Sequence, residues 1–150
     1  FMRIWHSVKN IDAPVRNDAM NCFVCGTDNA IGLKIEFILS ERGCTGNFTP
    51  KKEHSGFDNV THGGIVFSIL DDAMANWFYL QGASGFTAKS EIRYRNAMPI
   101  GVAVAIKCQF VKKKGKLVQL QSHASDMVSN MVYAESEASF ILTDEGNLKI

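Results

Sequence analysis

The sequence predicts an α+β domain in which one antiparallel sheet wraps around a single long helix. Three observations predict it. His54–Leu80 is the only long segment with clear helical character, and its helix is apolar nearly all round, the pattern of a buried helix. Stretches on both sides of it alternate apolar and polar residues with the period of two expected of half-buried strands. After the helix, these stretches are separated mainly by short turn-forming segments, as in hairpins.

The elements follow in order. Residues 1–21 read as an N-terminal extension with a short helix near Pro14–Met20. Cys22–Gly32 is turn-rich, with Gly26, Asp28, Asn29 and Gly32. Leu33, Ile35, Phe37 and Leu39 alternate as a strand, Glu41–Gly43 turns, and Cys44–Thr49 is the second strand. Pro50–Asn59 is a polar loop leading to the helix. Beyond the helix and the loop Gln81–Gly85, strands are expected at Phe86–Tyr94, Val102–Phe110, Leu117–Ser125 and Met131–Thr143. Gly115 in Lys112–Lys116 supplies the left-handed position of a hairpin.

Size and composition set the limits. At 150 residues the chain is expected to form one domain. With 46% apolar residues it can bury a core, and 21% charged residues at net charge +1 give no reason to expect disorder or nucleic-acid binding. No apolar run reaches the ~18 residues of a membrane span, and residues 1–20 have no apolar signal region, so a cytoplasmic protein is expected. Cys22 and Cys25 form the sole CxxC pair, with no second pair or HxxxH to complete a zinc site; they are expected to be reduced and metal-free.

The helix carries the chemistry. Thr61-His62-Gly63-Gly64 opens it, and glycines there let backbone N–H groups approach a ligand closely. The first N–H groups of a helix lack intrahelical partners and sit in the positive end of its macrodipole, a place for an oxygen gaining negative charge. Ser68, Asp71, Asp72 and Asn76 make a narrow polar stripe in the apolar run. The aspartates either face solvent or cap a neighbouring loop, or one of them does chemistry. Consecutive helix positions project about 100° apart, so the two are poorly placed to act on one atom.

The string HGGIVFSILDDAMANW resembles the signature of hotdog-fold acyl-CoA thioesterases, in particular the phenylacetate-pathway (PaaI-like) group. That group shows His-Gly-Gly, then an acidic residue nine positions after the His, here Asp71. CFVCGTDNAIGLKIEF (Cys22–Phe37) and TAKSEIRYRNAMPIG (Thr87–Gly101) resemble the blocks that flank the helix in that family.

The resemblance implies hydrolysis of an acyl-CoA thioester with no further cofactor, in a homodimer or dimer of dimers whose active sites lie at the subunit interface. Asp71 would attack the thioester carbonyl or activate a water, the Gly63 N–H would polarise that carbonyl, His62 would hold the turn, and Thr87 would position water or the leaving group. Arg93 and Arg95 are candidates for the coenzyme A phosphates. Asp71 is expected along the inner wall of the groove at the helix start, and Phe67, Met74, Trp77, Phe78 and Phe86 line an acyl pocket or pack the core. The chain departs from the family where a Gln or Asn usually precedes the His by about six residues: Gly56 stands there, so either His54, Ser55 or Asn59 takes over or this function is absent. A non-catalytic acyl-CoA-binding protein of the same fold is the alternative. The sequence context for a hydratase or dehydratase is not found.

Overall fold

The structure is a computed structural model that describes residues 16–148. Six strands form one antiparallel sheet: β1 (Ile38–Ser40), β2 (Gly43–Phe48), β3 (Ser84–Tyr94), β4 (Val104–Lys114), β5 (Leu117–Asp126) and β6 (Val132–Asp144). Helix α1 (Gly63–Tyr79) lies on one face of it.

The spatial order is β1-β2-β4-β5-β6-β3. β4, β5 and β6 follow one another as hairpins, with Gly115 at φ +61° in the first turn, as its sequence predicts. β3 departs from the hairpin scheme. It pairs with β6, so the chain crosses the sheet between β3 and β4 and leaves β3 on the outer edge.

The helix is buried because its apolar positions recur too often to leave an exposed face. Ile69, Leu70, Ala73, Met74 and Trp77 are fully covered, and Val66 and Phe78 nearly so. Opposite them stand the inward residues of the sheet, among them Val104, Ile106, Val118, Leu120 and Phe140. Trp77 stacks on Phe110 with centroids 5.2 Å apart. The Ser122 hydroxyl reaches the Leu70 carbonyl at 3.0 Å, tying β5 to the middle of the helix.

Two sequence expectations need correction. The strand expected over Leu33–Leu39 is ladder-paired only from Ile38. Ile35 and Phe37 are buried as the alternation requires, but Lys34 has φ +54° and the Ile35 N–H bonds to the Val24 carbonyl, which ends regular pairing there. The short helix expected near Pro14–Met20 is not seen where it overlaps the described residues; 18–21 form a turn, and the rest of the 1–21 extension lies outside the described residues. Arg16 pairs with Asp18 at 2.9 Å, donates to the Ala83 carbonyl and lies over the Tyr79 ring, fastening the start of the described chain to the end of α1.

Candidate active site

The start of α1 is built by its own sequence. His62 is the N-cap, with extended backbone at φ −57° and ψ 132°, and its Nδ1 accepts the Gly64 N–H at 2.8 Å. Its imidazole thus caps the first turn of the helix. The next donor, the Gly63 N–H, has no acceptor among the described residues. On the other side, the Tyr94 hydroxyl donates to the Gly63 carbonyl at 2.9 Å and pins the helix start to the end of β3. Capping by a side chain is worth about 1 kcal/mol. His62→Ala should therefore lower stability by roughly that much in urea unfolding, and His62→Asn, which can accept the same bond, should recover most of it.

Gly63 opens onto a cavity of about 620 Å³ whose walls include Phe57, Val60, Val66, Tyr94 and Met98. Thr61 also lines it, with a buried hydroxyl that has no partner among the described residues. Arg95 stands on the same cavity and is paired to Glu135 at 3.1 Å. Arg93 opens onto a different depression, beside Glu91, Lys107 and His123. Of the three residues considered in place of the missing Gln or Asn, none lines the cavity. His54 Nδ1 accepts the Lys51 N–H, and the Ser55 hydroxyl donates to the Lys52 carbonyl.

Asp71 is not on the wall of this cavity, contrary to the sequence expectation. It stands eight residues beyond Gly63, about 12 Å along the helix axis. Its carboxylate points to the edge strand instead, where the Thr87 hydroxyl donates to Oδ1 at 2.8 Å. The ladder between β3 and β6 slips between Thr87 and Lys89. A bulge there re-aims the side chains beside it.

The polar stripe of the helix is in fact two sites facing different ways. Asp72 turns from the edge strand into the CxxC turn: the Cys22 thiol donates to its Oδ1 at 3.5 Å, and the Asn76 amide donates to its Oδ2 at 2.9 Å. Burial pushes the Asp72 carboxyl above its ordinary value, against the hydrogen bonds from Cys25 and Cys22 that pull it down. Burial also drives the Cys25 thiol far up, with Asp72 adding to it. All four cysteines are free.

Of the five residues considered for an acyl pocket, Met74, Trp77 and Phe78 are core, while Phe67 and Phe86 are exposed at 36% and 56%. Sequence reasoning missed Thr61 and the role of Tyr94. Tyr94 lies in the block that follows the helix, but its contact with Gly63 spans 31 residues and has no local signal.

The helix thus presents an N–H donor at Gly63, unpaired among the described residues, and, about 12 Å further along its axis, a carboxylate at Asp71. A family model described as thioesterase superfamily matches residues 58–126, which take in the helix start, Asp71, Thr87 and Tyr94. The acyl-coenzyme A thioesterase THEM4 of Xenopus laevis is 30% identical over 145 residues, covering 91% of this chain and 62% of that protein. The chain spans less than two thirds of the length of the curated relatives it matches. Among solved structures, the PaaI protein of the E. coli phenylacetic acid degradation operon superposes with a TM-score of 0.69 at 16% identity, covering 76% of this chain and 83% of that one. A hypothetical thioesterase from Streptococcus pneumoniae, solved with coenzyme A, gives 0.68 at 16% identity, covering 74% and 87%. At these identities the structural likeness establishes the fold, the hotdog fold of these structures, and residues 58–126 are similar to the thioesterase superfamily.

Proposed function

We propose that the chain hydrolyses acyl-CoA thioesters, in the manner of the PaaI-like group, at a site shared between two copies of itself. The observation that carries this reading is the Gly63 N–H, which has no acceptor among the described residues, at a helix start that opens onto a largely apolar cavity. An acyl carbonyl seated there would accept that N–H, and the positive end of the helix would stabilise the oxyanion as it forms. Arg95 stands by for a phosphate of the nucleotide tail; Arg93, on its separate depression, is the weaker candidate.

Asp71 supplies the attack by one of two routes. As a base it takes a proton from water, the hydroxide adds to the carbonyl carbon, the C–S bond breaks, and the departing thiolate recovers the proton. As a nucleophile it forms a mixed anhydride, expels the thiolate, and is regenerated by water. Thr87 donates one hydrogen bond to Asp71, which leaves its lone pairs to hold water. His62 serves the turn through its Nδ1, which accepts the Gly64 N–H.

One chain cannot bring Gly63 and Asp71 to the same carbonyl across about 12 Å of helix. A two-fold dimer with antiparallel helices can, since each chain's Gly63 then meets the other's Asp71. The eleven-residue edge strand β3, with exposed Phe86 and Tyr94, offers the surface. Light scattering at micromolar concentration should give a dimer or a dimer of dimers; a monomer would remove the shared site.

Among the described residues no helix is long and apolar enough to cross a membrane. Free thiols in all four cysteines fit the reducing cytoplasm. Activity is tested by release of free coenzyme A from a panel of straight-chain and aromatic acyl-CoAs, followed with a thiol reagent. Turnover of at least one acyl class is expected. Saturable binding without release would favour a non-catalytic acyl-CoA-binding protein.

A further inference from the structure

Away from Thr87 and the cavity, the other carboxylate of the pair sits in a setting that hydrolysis does not use. The Sγ atoms of Cys22 and Cys25 and a carboxylate oxygen of Asp72 all lie within 4.8 Å of one another. The three come from two elements 50 residues apart, which is why the sequence shows only an incomplete ligand set.

We propose that Cys22, Cys25 and Asp72 bind one zinc-like divalent cation. The Cys22 Sγ to Asp72 Oδ1 distance is 3.5 Å. Around a tetrahedral zinc with Zn–S of about 2.3 Å and Zn–O of about 2.1 Å, an S···O edge measures about 3.6 Å, so this edge already has the length the site needs. An S–H···O contact has a similar length, and three further features favour the metal.

First, Asp72 is largely buried and meets no Lys or Arg side chain among the described residues; the ion pairs there are Arg16–Asp18 and Arg95–Glu135. A buried carboxylate calls for a countercharge. Second, the Cys25 main-chain N–H donates to Cys22 Sγ at 3.4 Å, a bond that strengthens as the sulfur becomes a thiolate. The turn is fixed in this form. The Gly26 N–H bonds the Cys22 carbonyl at 2.9 Å, and a Cβ at Gly26 would run into the Cys22 main chain. Third, the buried Asn76 donates to both the Asp72 carboxylate and its backbone carbonyl at 2.9 Å, the kind of outer partner that orients a metal-bound carboxylate.

Two thiolates and one carboxylate select a borderline-soft ion such as zinc over magnesium or calcium. Three protein ligands leave a fourth position for water. As the ion binds, both thiols release their protons to solvent. The bound ion would clamp the CxxC turn to the middle of α1, one residue from Asp71.

The test is cobalt titration of the chelator-stripped chain. One equivalent of Co²⁺ should bind, with sulfur-to-cobalt charge-transfer absorption and the visible bands of a tetrahedral site, and one equivalent of Zn²⁺ should abolish both. Asp72→Asn, nearly isosteric, should weaken binding by more than the ~10- to 100-fold that loss of an outer-shell partner costs. Cys22→Ser/Cys25→Ser, checked for folding by circular dichroism, should lose the charge-transfer band. If the unmodified chain gives no saturable one-equivalent spectrum, the cluster is a hydrogen-bonded thiol clamp and the proposal fails. It fails equally if the folded double variant keeps the band, because the ligands then lie elsewhere.

Discussion

Replacing Asp71 by Asn should lower kcat by roughly 10²-fold or more while KM changes little, the scale and signature of losing a positioned acid–base or nucleophilic group. The substitution isolates the chemistry because it keeps the shape. An Asn side-chain oxygen can still accept the bond that Thr87 donates to Asp71 at 2.8 Å, so the edge strand stays anchored to the helix. Thermal unfolding should be unchanged or slightly improved, since a half-buried carboxylate surrendered to a neutral amide relieves a desolvation cost. Steady-state kinetics with the best acyl-CoA of the panel, alongside a melting curve, checks both halves. Near-normal turnover in a folded Asp71→Asn protein would remove Asp71 from the mechanism.

The second large effect is expected at Gly63. Gly63→Pro deletes one N–H and puts the ring Cδ in its place. Gly63 is the first residue of α1, where proline is well accepted, and His62 already has the extended backbone that a following proline requires. A Cβ at this position meets the Tyr94 hydroxyl at 3.5 Å, an ordinary contact. The carbonyl that Tyr94 holds is retained. Loss of one oxyanion donor costs about 10²- to 10³-fold in kcat. Gly63→Ala adds the same Cβ but keeps the N–H, and should lose far less. If the two variants fall together, the effect is steric and the N–H is not used.

Local pattern carried much of this far in the sequence. The apolar spacing of Val66, Ile69, Leu70, Ala73 and Trp77 marked a buried helix, and Gly115 marked a hairpin, because both are properties of neighbouring residues. The position of β3 was not legible. Alternation shows that residues 86–94 form a strand but not which strand they pair with, and pairing to β6 rather than β4 is what puts Thr87 and Tyr94 on an open edge. The two aspartates show the same limit. Helical geometry separated their directions, yet nothing local tells that one meets Thr87 across 16 residues and the other meets Cys22 across 50. Asp71 does not line the cavity at the helix start because about 12 Å of helix separates it from the Gly63 donor.

That separation makes the shared site the claim on which the account turns, and mixing the two variants tests it directly. Asp71→Asn and Gly63→Pro chains, each nearly inactive alone, are combined in equal amounts, exchanged under conditions that let dimers dissociate, and assayed. In a mixed dimer, one site joins the intact Gly63 of the first chain to the intact Asp71 of the second, while the other site carries both lesions. Random pairing makes half of the dimers mixed, so the mixture should recover about a quarter of the wild-type activity. Activity that stays at the level of the separate variants, with subunit exchange confirmed by mass, would contradict the account and place donor and carboxylate in separate reactions or within one chain.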